Sequence, residues 1–211
     1  MTSLVVVSAG LSNPSSTRLL ADMLAAATVG AAGAAGGSAG VDVTVIELRD
    51  LAQQMTDHLL TGFPGPELSD AMDAVRRADG VIAVTPVFAA SYSGLFKTFF
   101  DLLEEGLMDG TPVLIAATAG TARHSLVLEH ALRPLFSYLH ATVVPTGVFA
   151  ATDDFAGAGL DGRIARAAGE LVALMPGHDA APRSTPVRRL VEEEFADPTP
   201  FAELLRQAGA A

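Results

Sequence analysis

The chain has no cysteine, so it can carry no disulfide, no thiolate zinc site and no cysteine nucleophile; any redox chemistry must come from a bound cofactor. Tryptophan is absent, tyrosine occurs twice, and Lys97 is the single lysine among 13 basic residues. No Gly-x-x-x-x-Gly-Lys-Ser/Thr pattern occurs, which excludes the lysine-dependent cradle for a nucleoside triphosphate. Positive charge is scarce overall. The net charge of −11 disfavours nonspecific contact with nucleic acid or an anionic membrane. No apolar run reaches the roughly 18 residues a membrane span needs. The N-terminus enters Leu4-Val5-Val6-Val7 with no basic region before it. These absences predict a cytoplasmic protein without nucleic-acid or membrane partners. His124, His130 and His140 are spaced by six and ten residues, not by four, and no carboxylate pattern joins them, so no metal site is expected.

At 211 residues, one domain with a sizeable core is the expectation. Leu4–Val7 is a continuous β-branched run, as in a parallel strand covered on both faces. A hydroxyl-rich loop follows, and Leu19, Leu20, Met23, Leu24 and Ala27 then recur at helical spacing. Residues 30 to 40, glycine- and alanine-rich, read as a flexible surface connection. Val41 to Leu48 alternates at first, suggesting a strand nearer the sheet edge. Buried strands are predicted at Val81–Val84, Thr111–Thr118 and Ala141–Phe149, with helices over 67–78, 94–103, 125–139 and 162–174. Five strands alternating with helices predict a doubly wound five-stranded parallel sheet, order 2-1-3-4-5, with helices on both faces. The switch point lies between the first and third strands. This domain is placed at residues 1–175, and residues 176–211 read as a C-terminal tail: a dimer arm, a lid or a solvated extension.

Two loops meet at that switch point. Ser12 to Thr17 sets four hydroxyls at the start of a helix, where free N–H groups and the helix dipole favour an anion. With no lysine present, neutral donors suit a phosphate monoester. The competing reading is a Ser15 or Ser16 helix cap. The second loop, Thr85 to Lys97, offers Phe88 and Tyr92 as ring faces and Ser91 and Ser93 as hydroxyls, and irregular backbone there has donors to spare. The competing reading packs both rings into the core. Thr118 to Arg123 is small and glycine-containing, as needed beside an extended ring. Gly36-Gly37-Ser38-Ala39-Gly40 matches a hydrolase nucleophile pattern but leads into a strand. Gly157 to Gly162 matches a dinucleotide pattern but lacks a later strand to complete the unit. Neither is assigned a function.

Taken together, these residues resemble the NADPH-dependent FMN reductase family, and more closely an actinobacterial branch of it. Its serine-rich first loop is similar to Ala9 through Leu20, its central Pro-x-Tyr-x-x-Ser-x-x-Gly-x-x-Lys to Pro86 through Lys97, and its Thr-Gly-Gly to Thr118-Ala119-Gly120. The resemblance implies a flavodoxin-like fold and an NAD(P)H:FMN oxidoreductase. It implies FMN contacts from Ser12, Ser15, Ser16 and Thr17 at the phosphate, from Pro86, Val87, Phe88 and Ala89 at the ring edge, and from Thr118, Ala119, Gly120 and Thr121 on the other side, with Leu11 and Ser91 as further cofactor-binding candidates. Arg123 is the candidate for the NADPH 2′-phosphate. Because hydride transfer needs stacking and water exclusion, no proton-transfer residue is named. The family is commonly dimeric or tetrameric and often passes reduced FMN to a two-component flavin monooxygenase. Phe88 stands where the family usually has Tyr, Ala89-Ala90 where Asn-Gly is common, and Ala119 where Gly is usual, changes suiting FMN held as an exchangeable substrate. The rival readings are an FMN-holding quinone or azo reductase and a flavodoxin-type electron carrier. A receiver-like domain is excluded by the lack of an acidic cluster after Ser8-Ala9-Gly10.

Overall fold

A computed structural model of the chain describes residues 1–35, 40–157 and 159–176. Residues 177–211 of the tail and residues 36–39 of the Gly36–Gly40 pattern lie outside the described residues, as does Ala158 of the glycine pattern.

Apolar β-branched runs form the sheet. β1 (Thr2–Ser8) pairs in parallel with β2 (Val41–Glu47) on one side and with β3 (Gly80–Phe88) on the other. β3 turns back through a two-residue antiparallel strand, β4 (Ser91–Tyr92), and pairs in parallel with β5 (Pro112–Ala119). Beyond β5 lie β6 (Thr142–Val143) and β7 (Val148–Ala151), both parallel to it. The sheet thus has seven strands rather than five: β2-β1-β3-β5-β6 along the main path, with β4 paired to β3 and β7 to β5 off it. The expected winding is kept, but the fifth strand is broken in two. Its break falls at Pro145, which has no N–H to give to a ladder. As predicted, β2 is at the edge.

Side-chain alternation divides the strands between two cores. On one face Leu4, Val6, Ile82, Val84, Leu114 and Ala116 meet Leu20 and Leu24 of α1 (Ser16–Ala34) and Ile164 and Leu171 of α6 (Gly159–Val172). On the other, Val5, Val7, Val81, Ala83, Val113 and Ile115 meet Met55 of α2 (Ala52–Thr61), Val75 of α3 (Pro66–Arg76), the phenylalanines of α4 (Gly94–Asp101) and Phe136 of α5 (Arg133–Tyr138). Fully burying side chains of this size contributes about 1.5–3 kcal/mol each. Helices therefore cover both faces, leaving the carboxyl ends of the strands open.

Two local expectations are corrected. Residues 30–34, expected as a flexible connection, continue α1, with Ala35 N–H closing on Ala31 O at 3.0 Å. Alanine, the strongest helix former, outweighs the roughly 1 kcal/mol each that Gly30 and Gly33 subtract. The single helix predicted over 125–139 is instead a turn at residues 125–126, following a 3₁₀ turn at Ala122–His124, then a π-helical turn at Leu128–Leu132 and α5.

Candidate functional site

At the carboxyl ends of β1, β3, β5 and β7 lies a cleft of about 400 Å³ lined by Leu11, Ser12, Ser15, Ser16, Thr17, Pro86, Val87, Phe88, Thr118, Ala119, Gly120 and Thr152. Eleven of the fifteen residues singled out in the sequence line it. Ala89, Ser91, Thr121 and Arg123 do not.

The first wall is the start of α1. Ser15 is its N-cap, the hydroxyl accepting from Arg18 N–H at 3.2 Å, so the capping reading holds for this residue. The N–H groups of Ser16 and Thr17 have no acceptor among the described residues and remain available. Gly10 is required beneath the turn, because a Cβ there would overlap Ser15 Oγ. Thr17 is buried, and its hydroxyl shares a 2.8 Å hydrogen bond with that of Thr118, tying the first wall to the third.

Two arginines flank this wall without entering the cleft's lining. Arg18 donates to Asp22 at 2.8 Å and to Glu47 at 2.5 Å. The Asp22 bond raises the guanidinium's pKa most; burial opposes it, and the Glu47 bond adds to the rise. Arg49 lies 3.6 Å from Glu47 and 3.4 Å from Asp50, and donates to the Ser12 carbonyl at 3.3 Å.

The second wall is the β3–β4 hairpin. Thr85 Oγ1 accepts from Ser93 N–H at 3.0 Å and donates to Pro86 O at 2.9 Å, which fixes the chain on leaving the sheet. Phe88 pairs with Ser91, and the two residues between them, Ala89 and Ala90, both have positive φ, 48° and 65°. That is the signature of the tight hairpin turn that asparagine and glycine normally supply. Phe88 is 49% exposed at the cleft, an apolar ring without cover. Tyr92, by contrast, leans on Phe96 with centroids 6.0 Å apart, and Ser93 caps α4 by accepting from Phe96 N–H at 3.2 Å. The core reading therefore holds for Tyr92 and not for Phe88.

Thr118 to Gly120 forms the third wall. Thr152 supplies a fourth that the sequence did not reveal. It arrives because β7 pairs with β5, setting Ala151 opposite Ala119. The turn after it is held by Asp154, which accepts from Ala151 N–H at 2.7 Å and from Arg163 at 2.9 Å. Thr121 and Arg123 are exposed beyond the cleft, and Arg123 forms no ion pair among the described residues. Chemically, the cleft offers free N–H groups, a helix N-terminus and hydroxyls at one side, and the faces of Phe88 and Leu11 at its rim. No three-residue cluster of His, Asp or Glu that could hold a metal occurs among the described residues.

Comparison with known proteins yields a consistent set. The model of the family described as NADPH-dependent FMN reductase matches residues 2–156. A Pseudomonas aeruginosa protein named FMN reductase (NADPH) is 42% identical over 151 residues, covering 72% of this chain and 77% of that protein. A Pseudomonas putida protein named NADH-dependent FMN reductase SfnE is 36% identical over 185 residues, 85% of this chain and 96% of that one. Among solved structures, an oxidoreductase from Corynebacterium diphtheriae superposes with a TM-score of 0.80 at 50% identity, covering 83% of this chain and 97% of that one; this neighbour supports the actinobacterial branch.

Proposed function

Since the chain belongs to the NADPH-dependent FMN reductase family, we propose that it is an NAD(P)H:FMN oxidoreductase whose flavin occupies the four-walled cleft. The observation that carries the placement is the convergence there of a helix N-terminus with free N–H groups, an uncovered Phe88 and the small Thr118–Gly120 loop. A mononucleotide fits this donor set. Its phosphate needs neutral donors at an electropositive helix end, and its ring needs flat apolar faces.

In this reading Ser12, Ser15, Ser16 and Thr17 hold the phosphate. Pro86 and Val87 lie at the ring edge with Phe88 and Leu11 against its faces, and Thr118–Gly120 bounds the opposite side. Ala89 and Ser91 act indirectly, as the turn that presents Phe88. Bound FMN supplies the ring that accepts hydride. The protein's part is to orient two flat ligands and keep water from between them, which needs no acid or base. Arg123 is proposed to meet the nicotinamide dinucleotide's 2′-phosphate, since its exposed guanidinium beyond the third wall has no ion-pair partner among the described residues. Reduced FMN is proposed to pass to a flavin-dependent monooxygenase, and the enzyme to work as a homodimer or homotetramer.

The test is NADPH and NADH oxidation with FMN, FAD, riboflavin and a quinone, recording flavin content as purified. Oxidation dependent on added FMN supports the reading, and no oxidation with any acceptor defeats it. Oxidation by retained flavin with a quinone alone would favour the quinone reductase. For the Arg123→Ala variant, the Michaelis constant for NADPH should rise about tenfold while that for NADH stays put. Equal constants in the two proteins would remove Arg123 from the site.

A further inference from the structure

Glu47 stands at the end of β2 with its side chain 18% exposed, bridging both arginines that flank the phosphate wall. One carboxylate oxygen accepts from Arg18 Nη1 at 2.5 Å; the other lies 3.6 Å from Arg49 Nε. Asp22 and Asp50 complete the cluster from its solvent side, at 2.8 Å from Arg18 and 3.4 Å from Arg49. Two guanidinium groups against three carboxylates leave a net charge of −1. Through Arg49 the cluster touches the Ser12 carbonyl, on the cleft wall itself.

We propose that Glu47 determines how tightly this enzyme holds its flavin. It anchors Arg18 and Arg49 beside the phosphate wall and gives their surroundings a negative balance, so that the phosphate is bound by neutral donors alone. FMN then remains an exchangeable substrate.

The physical basis is simple. A phosphate monoester carries close to two negative charges at neutral pH. An arginine turned to it would add a charge-assisted, bidentate bond of the strongest kind available to a side chain. Here two arginines stand within three residues of a cleft-lining serine in sequence or in direct bond to one; Arg18 is hydrogen-bonded to Asp22 and Glu47, whereas Arg49 has only the electrostatic proximity of Glu47 and Asp50, its Nε making no hydrogen bond among the described residues and its Nη1 donating to the Ser12 carbonyl. Glu47 is the member shared by both. Removing its charge neutralises the cluster and frees one side of each guanidinium, while Asp22 and Asp50 keep the side chains ordered.

This inference rests on placing the FMN phosphate at the start of α1. The experiment is titration of the full-length protein and of its Glu47→Gln variant with FMN and with riboflavin, at low and high sodium chloride, followed by flavin fluorescence. Riboflavin has the same ring and no phosphate. In the variant, FMN should bind about tenfold tighter at low salt, the order expected for one charge removed beside a dianion, with most of the gain lost at high salt. Riboflavin binding should not change. Asp22→Asn, on the exposed side of α1 where folding is not at stake, should tighten FMN in the same direction by less. If neither variant tightens FMN, or if FMN and riboflavin shift together, Glu47 is a structural brace only and the proposal falls. Wild-type protein binding FMN and riboflavin equally would overturn the phosphate placement as well, and so is distinguishable from failure of the Glu47 proposal alone.

Discussion

Ala89 and Ala90 hold left-handed backbone conformations that cost an L-residue about 1–2 kcal/mol each. Replacing Ala90 by Gly should therefore raise stability by about 1 kcal/mol, or roughly 2–4 °C in thermal midpoint for a domain this large. A lower midpoint in thermal denaturation would show that the turn is not strained. Thr17 and Thr118 illustrate a different point. In sequence both look like ligand hydroxyls, because threonine at a loop is all that is displayed there, whereas folding brings them to 2.8 Å across 101 residues. Thr17→Val should destabilise by about 1–3 kcal/mol, because it leaves the Thr118 hydroxyl buried without its partner. Valine at both positions should recover much of that loss. A double-mutant cycle with no coupling would contradict the bond. Ser15, by contrast, is legible in the sequence as one of two serines, Ser15 or Ser16, able to cap the helix after Asn13-Pro14, and the structure selects Ser15.

Among the elements, the buried strands are plain in the sequence because parallel strands covered on both faces read as unbroken apolar runs. What is hidden depends on pairing between distant segments. Thr152 enters the cleft only because β7 takes a register against β5, and no local pattern near residue 152 reports that. The interrupted fifth strand is likewise obscured, although Pro145 marks the place. Carbonyls released at the break are satisfied by Arg133, which donates to Val144 O at 3.2 Å and to Pro145 O at 3.1 Å while paired with Glu129 at 2.7 Å. The hydrogen bond from Arg133 holds the Glu129 carboxyl below its usual pKa. A depressed carboxyl stabilises the fold above its unfolded pKa and loses that contribution as pH falls through the folded value. Glu129→Gln should thus lower stability slightly at pH 7, by no more than about 0.5 kcal/mol for so exposed a pair. The difference from wild type should vanish in the acid range, below about pH 4, where the unfolded carboxyl also protonates. Thermal midpoints of the two proteins that differ equally at both pH values would contradict the pairing. Asp154→Ala should disturb the Thr152 turn, lowering stability by about 1–3 kcal/mol and raising the FMN Michaelis constant. An unchanged constant would mean that Thr152 does not contribute to the flavin site.

At the scale of the molecule, the absence of cysteine and the excess of acid bear most directly on chemistry: redox work has to come from a bound ligand, and anions have to be taken at a local site. The proposed site is the cleft at the end of the sheet, where four strands deliver four loops and α1 presents its N-terminus. The most direct probe introduces one negative charge there. Ser16 is exposed at the first position of α1, where aspartate suits the helix dipole and should leave folding intact. NADPH oxidation by the Ser16→Asp variant should show a Michaelis constant for FMN raised at least about tenfold, with riboflavin turnover unchanged. Equal kinetics of variant and wild type with FMN would contradict a phosphate at the start of α1, and with it the assignment of the cleft.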